Sequence, residues 1–118
     1  MEVRSRTDAD AFTTLDGSTI RVLLDSALGG AANQSLAEAS LEAGRSTQRH
    51  YHARSEEIYV FLQGGGRMEV EGASGDVGPG DAVLIPAGAW HRIEAGPEGA
   101  RFLCCCAPPY ADDDTFFE

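Results

Sequence analysis

Apolar and polar residues alternate in short runs along most of the chain, and glycine or proline closes nearly every run. Period-two alternation gives a strand two unlike faces, so residues 20–24 and 67–71 predict half-exposed strands. Residues 57–62 (EIYVFL) are β-prone and apolar at almost every position, which predicts a strand covered on both sides. Further strands are expected at 82–85, around Arg92-Ile93 and over 101–107, with a short edge strand near 12–15. Turns are expected at Asp16-Gly17, 42–45, the glycine run 64–66, 72–75, Pro79-Gly80-Asp81, 86–88, Gly96-Pro97 and Pro108-Pro109. Residues 25–32 read as a loop or a single turn. Residues 34–41 (QSLAEASL) have a helix-favouring composition yet also alternate. With no long helix in view, the pattern predicts an all-β barrel or sandwich.

At 118 residues this is one domain. The expected divisions are a flexible polar arm at 1–11, a barrel at 12–110 and an acidic and aromatic tail at 111–118. Within the tail, Asp112, Asp113 and Asp114 read as solvated charge. Phe116 and Phe117 read as a pair that docks on the barrel or on a second subunit.

Nineteen acidic residues against nine basic ones, all arginine, give a net charge of −10. That argues against a nucleic-acid partner, because a phosphate backbone demands a positive footprint. No run approaches the roughly eighteen apolar residues of a membrane span, and the start lacks the apolar region of a secretory signal. The expected location is therefore cytoplasmic. Cys104, Cys105 and Cys106 are consecutive, which suits neither a disulfide framework nor a C-x-x-C zinc site. They read as small buried hydrophobes in a reducing compartment.

The three histidines fall into two stretches. His50 and His52, at i and i+2, share a face only on an extended strand; on a helix they would point roughly 200° apart. Glu56 and Glu57 follow, and only one of two successive strand residues can share that face. His91 closes the second stretch, residues 80–91. Imidazole nitrogens with a carboxylate are suitable ligands for Fe, Mn, Ni, Zn or Cu.

The same residues carry a family pattern. Gly44, five residues, His50, one, His52, four, Glu57, six, Gly64 resembles the first motif of the cupin superfamily. Gly80, five residues, Pro86, one, Gly88, two, His91 resembles the second. The resemblance implies a double-stranded β-helix, or jelly-roll β-barrel, in which 34–41 is a strand and one divalent transition metal (Fe, Mn, Ni, Zn or Cu) is held inside one end. The matching ligands are His50, His52, Glu57 and His91, the gap to Gly64 selecting Glu57 over Glu56. The second motif usually ends in an asparagine after three further residues; here that position is Ala95.

With Glu57 inward, strand parity sends Tyr59 and Phe61 inward as well, and the same parity adds Gln48 to His50 and His52. Gln48, Tyr59 and Phe61 are thus the expected substrate pocket, while Ile58, Val60 and Leu62 face another layer or a partner. Trp90 is expected to pack, and Arg49, Arg54, Arg92 and Arg101 to act as surface counter-charges. The resemblance implies a small metalloenzyme of dioxygenase, isomerase or epimerase, or cyclase type acting on a small organic molecule. Glu57 would be its general base and Tyr59 its hydroxyl donor. The alternative is a non-catalytic, metal-dependent binding or sensory module. A homodimer paired through outer sheets is expected on the same ground.

Overall fold

The computed structural model describes residues 1–118. It contains nine strands: β1 (Ala11–Thr13), β2 (Thr19–Leu24), β3 (Ser35–Leu41), β4 (His50–His52), β5 (Glu56–Val70), β6 (Ala73–Val77), β7 (Ala82–Ile85), β8 (His91–Ala107) and β9 (Thr115–Phe117). Two short 3-10 turns, Arg6–Asp8 and Asp112–Asp114, are the only helical elements, and no helix is long and apolar enough to cross a membrane.

Two long strands organise everything else. β5 and β8 pair antiparallel along nearly their whole lengths, from Glu56↔Ala107 to Val70↔His91. Their first section, Glu56–Phe61 against Phe102–Ala107, carries β7 on one side and β3, β2 and β1 on the other. Their second section, Gly66–Val70 against His91–Ala95, carries β6 on one side and β4 and β9 on the other. The ribbon bends between the sections, so two sheets fold over one core. This is the jelly-roll barrel.

The bend explains the glycine run. A turn is expected at 64–66, and another at Gly96-Pro97, but both lie inside continuous strands where the register shifts between Gly64 and Gly66. A Cβ on Gly64 would stand 2.1 Å from the Gly99 carbonyl oxygen, one on Gly65 2.1 Å from that of Val77, and one on Gly66 1.9 Å from that of Glu94. Backbones crossing that closely leave no room for any side chain, so three consecutive glycines are a packing requirement. The turn expected at 72–75 is tighter than its sequence suggests. Glu71 and Gly72 alone make it, both at positive φ (49° and 80°), because a two-residue hairpin loop of that hand matches the twist of its strands.

The core lies between the sheets: Tyr59, Phe61, Met68, Ile85, Ile93 and Phe102 are buried and packed together. Phe61 and Tyr59 sit against Phe102 with ring centroids 5.1 and 4.7 Å apart.

Both ends of the chain are tied down. Arg6, in the expected flexible arm, lies 2.8 Å from both carboxylate oxygens of buried Glu38 on β3, and Arg4 donates to the Leu23 carbonyl at 2.9 Å. The tail expected as solvated charge is integral to the barrel. Asp114 is buried and accepts hydrogen bonds from the Arg54 and Ser55 backbone N–H groups, while β9 pairs with β4. Phe116 stacks on Tyr51, which also meets Trp90 edge-on, so the aromatic tail docks on its own barrel.

Candidate metal centre

β4 and β8 bring the two histidine stretches together: His50 pairs directly with His91 across the ladder, and His52 follows on the same face. Glu57, the second residue of β5, points to the same place and is buried, whereas Glu56 is exposed. The donor nitrogens of His50, His52 and His91 all lie within 4.8 Å of one another. Glu57 Oε1 is 3.3 Å from His52 Nε2 and 3.5 Å from His91 Nε2. Ligands roughly 2.1 Å from one ion stand about 3.0–3.4 Å apart when adjacent, so these spacings suit shared coordination.

Every imidazole has the same hydrogen-bond polarity. His50 Nδ1 lies 2.7 Å from the Gln48 carbonyl oxygen, and His91 Nδ1 3.0 Å from that of Ala89. His52 Nδ1 lies 3.2 Å from Thr115 Oγ1, whose own proton goes to the Ala111 carbonyl at 3.0 Å. All three partners can only accept, so Nδ1 carries the proton and Nε2 presents a lone pair in each ring. Carbonyls and hydroxyls behind the rings thus set the tautomer that metal binding needs.

Two atoms here are orphaned. Glu57 Oε1 and His91 Nε2 are buried with no hydrogen-bond partner, although buried polar atoms are nearly always satisfied. Glu57 Oε2, by contrast, accepts from Cys106 Sγ at 3.1 Å. One oxygen is held, and the other is bare and faces a cluster of imidazole lone pairs. A divalent cation satisfies both orphans at once, and the residues present fit one.

Electrostatics agree. Burial alone would raise the Glu57 pKa, but the imidazoles of His52 and His91, 3.3 and 3.5 Å from Oε1, favour its charged form and hold it at about 2. Burial and the neighbouring His91 lower His50 to about 4, which keeps that ring neutral at physiological pH. At His52 burial opposes protonation, yet the adjacent Glu57 outweighs it and the pKa rises. Tyr59 is pushed well above the ordinary phenol range by burial and then by Glu57, so its hydroxyl stays protonated.

A cavity of about 90 Å³ opens over the centre, lined by His50, His52, Glu57 and Tyr59 together with residues of β1, β2, β3 and β8. Two pocket expectations need correction. Gln48 is exposed and lines nothing, because β4 begins only at His50 and strand parity cannot be carried back across an irregular stretch. Its backbone is used instead: the N–H donates to the Asp16 carbonyl at 2.8 Å and the C=O holds His50. Phe61 points inward but lies in the core beyond Tyr59 and Phe102, away from the cavity wall.

Other contributors had no sequence signal. Asp16, expected only as a turn residue, directs Oδ2 to 3.8 Å from His50 Nε2, while Ser18 fixes its other oxygen through N–H and hydroxyl donors at 2.9 and 2.6 Å. Thr115 orients His52, and Cys106 holds Glu57. Cys104 and Cys106 share the cavity face as alternate residues of β8, and all three thiols are free.

A jelly roll with a buried cluster of imidazoles and a carboxylate at one end defines a class, and the comparison of sequences agrees. The Cupin domain family matches residues 37–106, and the chain belongs to that family. An uncharacterized protein of Methanocaldococcus jannaschii is 42% identical over 105 residues, 88% of this chain and 84% of that protein. A dimethylsulfoniopropionate lyase of Ruegeria pomeroyi is 32% identical over 82 residues, 70% of this chain but only 53% of the lyase. Among solved structures, the polyketide cyclase RemF of Streptomyces resistomycificus is 30% identical with a TM-score of 0.80, covering 97% of this chain and 89% of the cyclase. Similar proteins thus include enzymes of quite different reactions, and the fold by itself selects none of them.

Proposed function

We propose that this protein is a metal-dependent enzyme acting on a small organic molecule, with His50, His52, His91 and Glu57 as metal ligands. The observation that carries this reading is the buried, unpartnered Glu57 Oε1 facing Nε2 lone pairs whose tautomers are fixed from behind. Lyase- or cyclase-type chemistry is the favoured form, supported by the likeness to a lyase and to a polyketide cyclase. A divalent ion held there would supply Lewis acidity toward a substrate oxygen.

The chain's own groups have separable tasks. Glu57 is a weak proton acceptor at a pKa of about 2, which favours a ligand role over the general-base role expected from sequence. Tyr59, held protonated, is a hydrogen-bond donor to substrate. Asp16, with Oδ1 held by Ser18 and Oδ2 3.8 Å from His50 Nε2, is the acceptor placed to orient a substrate hydroxyl. The apolar walls, Ile20, Leu36 and Phe102 among them, exclude water from that contact.

We further propose that the protein works as a homodimer in a reducing, cytoplasmic setting. Ile58 and Leu84 pair across β5 and β7, and with Leu62 they remain exposed on the outside of the barrel at 40%, 57% and 39%. An apolar strip on a sheet face favours burial against a second copy.

The test is a turnover screen of metal-loaded protein against hydroxylated aromatic and carbonyl compounds, read by product mass, with Glu57→Gln beside it. Metal-dependent loss of water or ring closure, absent from the variant, supports the reading. Binding without turnover for every metal would replace it with the sensory or binding module.

A further inference from the structure

We propose that the cavity accepts uncharged or positively charged molecules and rejects carboxylates and phosphates. This rests on the metal-centre reading above and names the substrate class of that same site.

The cavity wall contains Asp16, Asp25 and Glu57 and not one arginine. This is not for want of arginines, of which the chain has nine. Arg6 and Arg101 both hold Glu38, and Arg49, Arg54, Arg67 and Arg92 pair with acids that lie outside the cavity. Even with a divalent ion bound, three carboxylates leave the wall with a negative excess, inside a protein of net charge −10. An anion entering this enclosed space would lose hydration and meet no cationic fork to replace it. A hydroxyl or an ammonium group finds fixed partners instead. Asp16 Oδ1 is already taken by Ser18, while Oδ2 is turned toward His50 and makes no hydrogen bond within the chain. Apolar residues complete the enclosure, which suits a neutral body carrying hydroxyls.

The experiment compares three probes that share one metal-binding diol and differ in charge: catechol, dopamine and 3,4-dihydroxybenzoate. Affinities are measured by calorimetry on protein whose metal content is determined on the same sample. Catechol and dopamine should bind at least ten-fold more tightly than 3,4-dihydroxybenzoate. The Asp16→Asn/Asp25→Asn double variant, with its fold checked by circular dichroism, should shrink the gap to less than three-fold. Dihydroxybenzoate binding as tightly as catechol, no binding by any probe, or a gap unchanged in the double variant would overturn the proposal. Protein that takes up no metal would instead overturn the metal-centre reading. The charge order would then be read on the metal-free cavity from shifts of the histidine and Tyr59 NMR signals.

Discussion

Thr115 Oγ1 accepts a hydrogen bond from His52 Nδ1 at 3.2 Å, so the last strand of the chain orients a ring at the centre of the barrel. The hydroxyl can only accept there, because its proton is committed to Ala111. Partners of this kind typically influence metal affinity by about 10- to 100-fold. Thr115→Val keeps the shape of the side chain and removes the acceptor. It should weaken metal binding by about ten-fold or more in chelator competition, while the thermal midpoint of the metal-free protein moves little. An unchanged affinity would mean that His52 does not depend on the tail.

The bend of the β5–β8 ribbon makes a second prediction. Gly66→Ala places a methyl 1.9 Å from the Glu94 carbonyl oxygen, a contact that only backbone movement can relieve. The expected loss is about 3 kcal/mol or more in urea unfolding, or failure to fold at all. Gly75→Ala is the control: nothing lies within 4 Å of its added carbon and its φ is not positive, so its stability should match the wild type within about 0.5 kcal/mol.

Metal-free protein should lose stability in acid in two stages. His50 titrates near 4 in the fold against an ordinary 6.5, so between those values the unfolded chain holds a proton that the fold refuses. Stability therefore falls as pH drops from 6.5 to 4. Glu57 titrates at about 2 against an ordinary 4.5, so its contribution is complete above 4.5 and is lost as pH falls through about 2. His52, with a raised pKa, acts above that window: its contribution is complete below about 6.5 and is lost as pH rises through its folded value. Thermal melts of chelator-treated protein at stepped pH should show both arms. His50→Asn should flatten the upper one and Glu57→Gln the lower.

Much of this architecture was legible in the chain, and the failures have physical causes. Period-two spacing puts His50 and His52 on one face, and the glycines and proline of the two stretches set the strand ends around them. That reasoning needs an unbroken strand, and it failed at Gln48, which precedes the first residue of β4. Phe61 shows a different limit: parity says which way a side chain points but not where a cavity ends. Asp16 and Thr115 carry no local signal, since the bond from Thr115 spans 63 positions of sequence and exists only once β9 has docked on β4. The glycine run was visible as punctuation, but its real reason, three carbonyl oxygens where a side chain would stand, belongs to the tertiary fold.

The outer face of β5 and β7 bears on assembly. Leu84→Glu places a charge in the exposed strip beside Ile58, away from the buried core. If two copies pair there, sedimentation velocity should show a dimer for the wild type and a monomer for the variant, with metal content unchanged. A wild-type monomer at micromolar concentration would contradict the pairing.

The most direct test of the central claim is the metal content of untagged protein purified without added metal, measured by elemental mass spectrometry beside His50→Ala and His91→Ala. The account predicts close to one transition-metal ion per chain in the wild type and a loss of at least ten-fold in each variant that remains folded. A wild-type protein that carries no metal and takes none up on titration would contradict it. So would variants that retain the ion in full.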